Sequence, residues 1–193
     1  MSRFYYFGPL LYHTNLKKED LIEIEKLCKK DPNKIHVKDL AGHIDDEFRI
    51  DAFKLNSILN EYFFDYAKTW EHFYNQGFPN FRIKSAWVNY MKAGDFNPPH
   101  VHSDDLSAVI FLKIPNELKK ENEEHHKKGV ISKGPGALTF STGLQRSFFH
   151  TGVEFFPEEG DMFIFPASLQ HWVFPFKSNV ERVSIAYNVQ FKK

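Results

Sequence analysis

The chain has almost no cysteine. The single Cys28 excludes an intramolecular disulfide and a thiolate-built zinc cluster. It has no net charge: 25 Lys and Arg offset 25 Asp and Glu. That balance removes any whole-chain attraction to an anionic membrane and argues against a nucleic-acid partner. It has no uninterrupted stretch of about 18 apolar residues, so no membrane span is expected. The opening Met-Ser-Arg-Phe-Tyr-Tyr-Phe-Gly-Pro lacks the apolar core of a secretion signal. A reducing, cytoplasmic setting is the expectation. Oligomeric state leaves no readable trace.

What is abundant is aromatic bulk. Twenty-one Phe, eight Tyr and three Trp can fill a large core, and 193 residues suit one domain. Within it, residues 1–79 read as helical support and 80–193 as a β core. Residues 4–12 could form a short strand. Residues 17–30 read as a helix, with Leu21, Ile24, Leu27 and Cys28 at helical spacing and Cys28 as a buried helix residue. Residues 31–51 are polar and irregular. A longer helix follows from about Ala52 to Gln76, with Leu59, Tyr62, Phe63, Tyr66, Trp70 and Phe73 as its apolar stripe and Gly77 as its stop.

After Pro79 the pattern turns to short strands punctuated by Pro, Gly and Asp, at 82–92, 100–102, 106–114, 136–141, 153–156, 161–165, 170–174 and 181–191. Eight short strands after two helices predict a mostly β sandwich or jelly roll backed by helices. Residues 116–135 interrupt them as a charged insertion, read as a solvated loop or as a lid over the barrel mouth. His125 and His126 within it are adjacent, would point opposite ways on a strand, and are not counted as ligands.

The chemistry concentrates in Asn97-Pro-Pro-His100-Val-His102-Ser-Asp104-Asp105. Side chains two apart on a strand share a face, so His100 and His102, or His102 and Asp104, can enter one cavity. Pro98 and Pro99 stiffen the approach. His171 comes from a later strand. Imidazoles with a carboxylate and open positions suit non-haem Fe(II); three imidazoles suit Fe(II), Zn(II) or Cu(II). The last strand alternates, with Val183, Ile185, Tyr187 and Val189 on one face and Arg182, Ser184, Ala186 and Asn188 on the other. The first face is expected under the helices and the second around an internal pocket. A buried arginine there needs an anion, and its planar fork fits a carboxylate.

Together these residues resemble the 2-oxoglutarate- and Fe(II)-dependent oxygenases. The nearest likeness is to a prolyl-4-hydroxylase-like group of marine phages and bacteria. It rests on Trp87-Val-Asn-Tyr90, Gly94-Asp-Phe-Asn-Pro-Pro-His100-Val-His102, Leu106-Ser107, Gly160-Asp161, Phe165-Pro166, His171 and Arg182-Val-Ser-Ile-Ala-Tyr-Asn188. The resemblance implies a double-stranded β-helix that binds Fe(II), 2-oxoglutarate as cosubstrate, and O2. It also implies hydroxylation of a protein side chain or small molecule with release of succinate and CO2, in the host cytoplasm if the chain is phage-encoded. Arg182 and Ser184, with Tyr90, would hold the distal carboxylate of 2-oxoglutarate. Asn89 and Asn188 would orient substrate, and Trp172 would help close the site. The flanking motif places His100 as first ligand and makes a set of His100, His102 and His171. A frame shifted by two gives His102, Asp104 and His171, and both sets stay open. Two rival readings are a cupin-type metalloenzyme without 2-oxoglutarate and a non-enzymatic jelly-roll binding module.

Overall fold

The computed structural model describes residues 8–35, 41–143 and 151–192. Two antiparallel sheets face each other, with two of the helices against the outer face of the larger one. The elements are β1 (Tyr12–Asn15), α1 (Lys18–Glu25), β2 (Glu47–Arg49), α2 (Ala52–Tyr74), β3 (Phe81–Met91), β4 (Asn97–His100) and β5 (Leu106–Lys113). They continue with α3 (Asn116–Lys127), β6 (Leu138–Ser141), β7 (Gly152–Phe155), β8 (Asp161–Pro166), β9 (Gln170–Val173) and β10 (Arg182–Phe191). The larger sheet runs β1-β8-β5-β10-β3-β2 and the smaller β4-β9-β6-β7. This is the expected jelly roll, or double-stranded β-helix, with helical backing.

Strand alternation sorts the core into two layers. On β8, Met162 and Ile164 face the helices, while Phe163 and Phe165 enter the space between the sheets. On β10, Val183, Ile185, Tyr187 and Val189 join Leu55, Leu59, Tyr62, Phe63 and Tyr66 of α2 in the helix-facing layer. Period-2 and period-3.6 patterns meet along that seam. Phe63 is fully buried there, tilted on Phe81 at 4.8 Å and edge-on to Tyr187 at 5.9 Å.

Helix α2 starts where Asp51 accepts hydrogen bonds from the backbone N–H groups of Phe53 and Lys54, both at 3.0 Å. It ends at Asn75 in the left-handed conformation, φ 52°, so Asn75, not Gly77, is the stop. Of the expected stripe, Phe73 is exposed. Helix α1 stops at Glu25. Cys28 therefore lies beyond it, half-buried, its thiol donating to the Ile24 carbonyl at 3.4 Å. The strand expected over residues 4–12 lies partly outside the described residues; the observed one begins at Tyr12.

Two segments depart further from expectation. The charged stretch 116–135 opens as helix α3 instead of a loop. Leu118 and Asn122, one turn apart, are its buried positions. Asn122 Nδ2 donates to the backbone carbonyls of Lys133 and Pro135. Glu121 accepts from the N–H groups of Lys177 (2.9 Å) and Ser178 (2.8 Å). Tertiary partners therefore hold a helix whose composition reads as solvent-facing. The stretch 31–51, read as irregular, contributes β2, with Phe48 and Ile50 buried.

Gly160-Asp161 is a turn device. Gly160 has φ +92°, and a Cβ there would meet the Asn15 amide at 2.9 Å. Asp161 Oδ2 accepts from the Glu158 N–H at 2.8 Å. Replacing Phe63 with Ala should cost roughly 3–5 kcal/mol of unfolding free energy, measured by urea denaturation. A cost below about 1 kcal/mol would contradict the packing of α2 on β10.

Candidate metal centre

Between the sheets lies a cavity of about 50 Å³ whose walls include Glu47, Trp87, Asn89, Asn97, His100, His102, Ser107, His171, Arg182, Ser184, Ala186 and Asn188. Its floor is the polar face of β10. Its metal-ligating groups come from the smaller sheet, where His100 of β4 and His171 of β9 are register partners. His102 lies just past the end of β4, so strand alternation does not place it. Its backbone N–H donates to the Ala167 carbonyl at 2.9 Å, and its ring converges with the other two.

One nitrogen from each of His100, His102 and His171 lies within 4.8 Å of the others. Ring centroids are separated by 4.3 Å (His100–His171), 5.0 Å (His100–His102) and 5.2 Å (His102–His171). Two of the rings are oriented alike. His100 Nδ1 meets the Pro98 carbonyl at 2.7 Å, and His171 Nδ1 meets the Leu169 carbonyl at 2.9 Å. A carbonyl only accepts, so each Nδ1 carries the proton and each Nε2 keeps its lone pair. This backbone-fixed tautomer is a common support for metal-bound histidine. Phe165 packs edge-on to His171 at 4.7 Å.

Burial keeps these rings neutral. It pushes His171 down to about 3 and His102 down to about 4, with repulsion from His100 adding in both cases; burial lowers His100 as well. Asp104 is engaged elsewhere. Its Oδ1 pairs with Lys84 Nζ at 2.7 Å, and it is not part of the converging cluster.

Arg182 is 2% exposed. Its Nη1 donates to the Gly136 carbonyl at 3.1 Å, and its guanidinium lies 5.2 Å over the Phe111 ring. Its Nε has no partner, and no carboxylate pairs with it among the described residues. Burial pushes it down to about 10. Ser184, also 2% exposed, lies beside it on the pocket face. This is a guanidinium prepared for an anion.

Tyr90 is not in this pocket. It pairs in register with Val183 and packs in the helix-facing layer against Phe48, with Lys30 over its ring at 4.4 Å. The pleat that turns Trp87 and Asn89 inward turns Tyr90 outward. Asn89 and Asn188 do line the pocket, Asn188 accepting from the Ser107 hydroxyl at 2.9 Å. Trp172 alternates with His171 and, like every residue of 116–135, is not among the residues that line the cavity. His125 contacts Ser132 at 3.2 Å, remote from the triad. Glu47 is a wall residue that sequence reasoning missed. Its only signal is the alternation Glu47-Phe48-Arg49-Ile50.

Residues 85–188, more than half of the chain, match the family model described as "Putative 2OG-Fe(II) oxygenase". The protein belongs to this family. It is an Fe(II)- and 2-oxoglutarate-dependent oxygenase, and the family uses Fe(II), 2-oxoglutarate and O2. No curated protein matches the chain in sequence. Solved structures share the fold at low identity. A prolyl-4-hydroxylase of Pseudomonas putida is 13% identical, with 95% of this chain and 93% of that one covered and a TM-score of 0.59. The viral collagen prolyl hydroxylase of Paramecium bursaria Chlorella virus-1, solved with 2-oxoglutarate, is 12% identical, with 93% and 94% covered and a TM-score of 0.57. HygX of Streptomyces hygroscopicus, solved with nickel, 2-oxoglutarate and hygromycin B, is 13% identical, with 96% and 83% covered and a TM-score of 0.53. No described helix is long and apolar enough to cross a membrane.

The neutral triad sets an acid dependence for the metal-free protein. Unfolded imidazoles take up protons near pH 6.5, whereas folded His102 and His171 resist until about 4 and 3. The unfolded state binds more protons in between, so stability falls as pH drops through that window. The Tm of chelator-treated protein should fall between pH 7 and 4.5, and His171→Gln should flatten the fall. The Glu47 carboxyl, pushed up to about 8 by burial, acts in the opposite direction, so the test is the comparison: a pH profile that His171→Gln leaves unchanged would refute the neutral, buried triad.

Proposed function

We propose that this oxygenase hydroxylates its substrate at a metal held by His100, His102 and His171, with Arg182 and Ser184 binding the distal carboxylate of 2-oxoglutarate. The observation carrying the reading is the shared cavity: three converging imidazoles, two of them with Nε2 left free by Nδ1–carbonyl bonds, and a buried guanidinium that no carboxylate pairs among the described residues. When bound, Fe(II), 2-oxoglutarate and O2 supply the oxidising chemistry, leaving hydroxylated substrate, succinate and CO2. The protein's part is to hold the imidazoles neutral and oriented, anchor the dicarboxylate through Arg182, and keep water away between two aromatic-rich layers.

The three-histidine set is preferred to one with Asp104, because Lys84 already occupies that carboxylate. Arg182 on the pocket wall favours a 2-oxoglutarate enzyme over a cupin-type metalloenzyme without it. Convergence of the histidines favours both over a binding module. The substrate class is a protein side chain or a small molecule.

Under anaerobic conditions, Fe(II) with 2-oxoglutarate should give a weak visible charge-transfer band; its absence in folded, metal-loaded protein would defeat the reading. Arg182→Ala should weaken 2-oxoglutarate binding by roughly 30-fold or more while metal affinity stays close to wild type. Unchanged 2-oxoglutarate affinity would remove Arg182 from the role.

The ligand set has its own test. His100→Ala should lower Fe(II) affinity by more than about tenfold, since losing a ligand costs more than losing its support. Asp104→Asn should not lower it, and the reverse outcome would restore the set with Asp104.

A further inference from the structure

We infer that Glu47 is the substrate-recognising residue of this pocket and selects a substrate bearing a cationic nitrogen, an ammonium or a guanidinium. The inference rests on the oxygenase reading above and extends it to the substrate class.

Glu47 is 1% exposed, and its Oε2 has no hydrogen-bond partner. It forms part of the cavity wall, and among the described residues it is the only acid there. Strand register puts it in line with the site. Glu47 on β2 is the partner of Asn89 on β3, and Asn89 is the partner of Ser184 on β10. All three side chains point into the cavity. The Asn89 Oδ1 is buried and also without a partner. Two unsatisfied oxygens thus sit side by side at the β2 end of one row, with Ser184 and the anion-seeking Arg182 at its β10 end.

A third oxygen lies nearby. Gly42 approaches so closely that a Cβ there would meet Asn97 Oδ1 at 2.6 Å and Glu47 Oε1 at 3.6 Å. Gly42 thus leaves room for these oxygens, and among the described residues neither Glu47 Oε2 nor Asn89 Oδ1 receives a hydrogen bond. A buried acceptor without a donor carries its full desolvation cost, and two side by side favour a ligand that brings N–H groups. A substrate carboxylate or phosphate would instead meet oxygen against oxygen.

A cation fits the charge as well as the hydrogen bonding. No described lysine or arginine pairs with Glu47; Arg182, the other formal charge on the wall, is not ion-paired to it. Burial, with repulsion from Asp95, pushes the empty-site carboxyl up to about 8. An incoming ammonium or guanidinium gives the ionised form its counter-charge. The bland alternative is an acid merely stranded by packing, and it predicts no ligand preference.

The test uses n-pentylamine and n-butylguanidine against the neutral isosteres 1-pentanol and n-butylurea. Binding is measured by calorimetry on anaerobic protein loaded with Fe(II) and 2-oxoglutarate, and again without 2-oxoglutarate. The cations should bind saturably and at least tenfold more tightly than the isosteres, and Glu47→Gln should abolish that preference. With 13C-labelled glutamate, the carboxyl signal missing from Glu47→Gln should move to its ionised position on adding n-pentylamine at pH 7. Equal binding of cations and isosteres, or a preference that survives Glu47→Gln in folded protein, would overturn the inference. The charge-transfer band is recorded on the same samples. Its loss counts against the oxygenase reading, whereas an intact band without cation preference counts against Glu47 alone.

Discussion

A strand buried on both faces must carry two different surfaces, and β10 does so for the whole molecule. Its apolar set faces α2 and its polar set lines the cavity. Slipping the register by one residue would drive Arg182 and Ser184 among Leu59, Phe63 and Tyr66 and put valine and isoleucine beside the histidines. The apolar layer therefore does more than add stability. By fixing which residues of β10 face the helices, it fixes which ones face the site. Strand β3, paired to β10 from Phe81 to Met91, inherits the same sorting: Val88 and Tyr90 face outward, Trp87 and Asn89 inward. Strand β2 inherits it in turn through Glu47.

The cavity collects groups that burial makes uncomfortable. Three imidazoles cannot easily protonate, a guanidinium has a buried Nε–H without a partner, and a carboxyl oxygen receives no hydrogen bond. Each carries a desolvation cost that the surrounding fold must offset, and aromatic layers on either side supply that offset. Ligands that complete these groups recover the cost on binding. Preorganised polar groups in a low-dielectric site are worth more to a ligand than the same groups in water. The backbone carbonyls of Pro98 and Leu169, which set the tautomers of His100 and His171, belong to the same preorganisation.

Much of this was readable from the chain, because alternation is a strong signal when strands are long. Strand β8, with Met162 and Ile164 against Phe163 and Phe165, and strand β10 declare their two faces residue by residue. Short or tertiary-held elements do not. Strand β2 is three residues long, too brief for a period, so Glu47 lay hidden in a charged stretch. Helix α3 is held by Asn122 reaching backbone carbonyls of a later segment, which composition cannot reveal. The motif match assigns both Asn89 and Tyr90 to the site, but adjacent residues on a strand face opposite ways, and Asn89 is the one that lines the cavity. His100 and His102 do converge, but His102 lies beyond the end of β4, so strand alternation alone does not account for it. Nothing in sequence spacing announces that Lys84 pairs with Asp104.

That ion pair has a consequence for charge. A ligand set containing Asp104 would bring one negative charge to a bound dication, whereas three neutral imidazoles bring none. Among the described wall residues, only Glu47 can then carry negative charge and only Arg182 a permanent positive one. Glu47 stands on β2 and Arg182 on β10, with β3 and its Asn89 between those two strands. An entering dicarboxylate is drawn toward Arg182 and disfavoured near Glu47, and a cation is drawn the other way. If Glu47 takes a cationic substrate as proposed, cosubstrate and substrate would be drawn to different strands of one cavity and would not compete for one subsite.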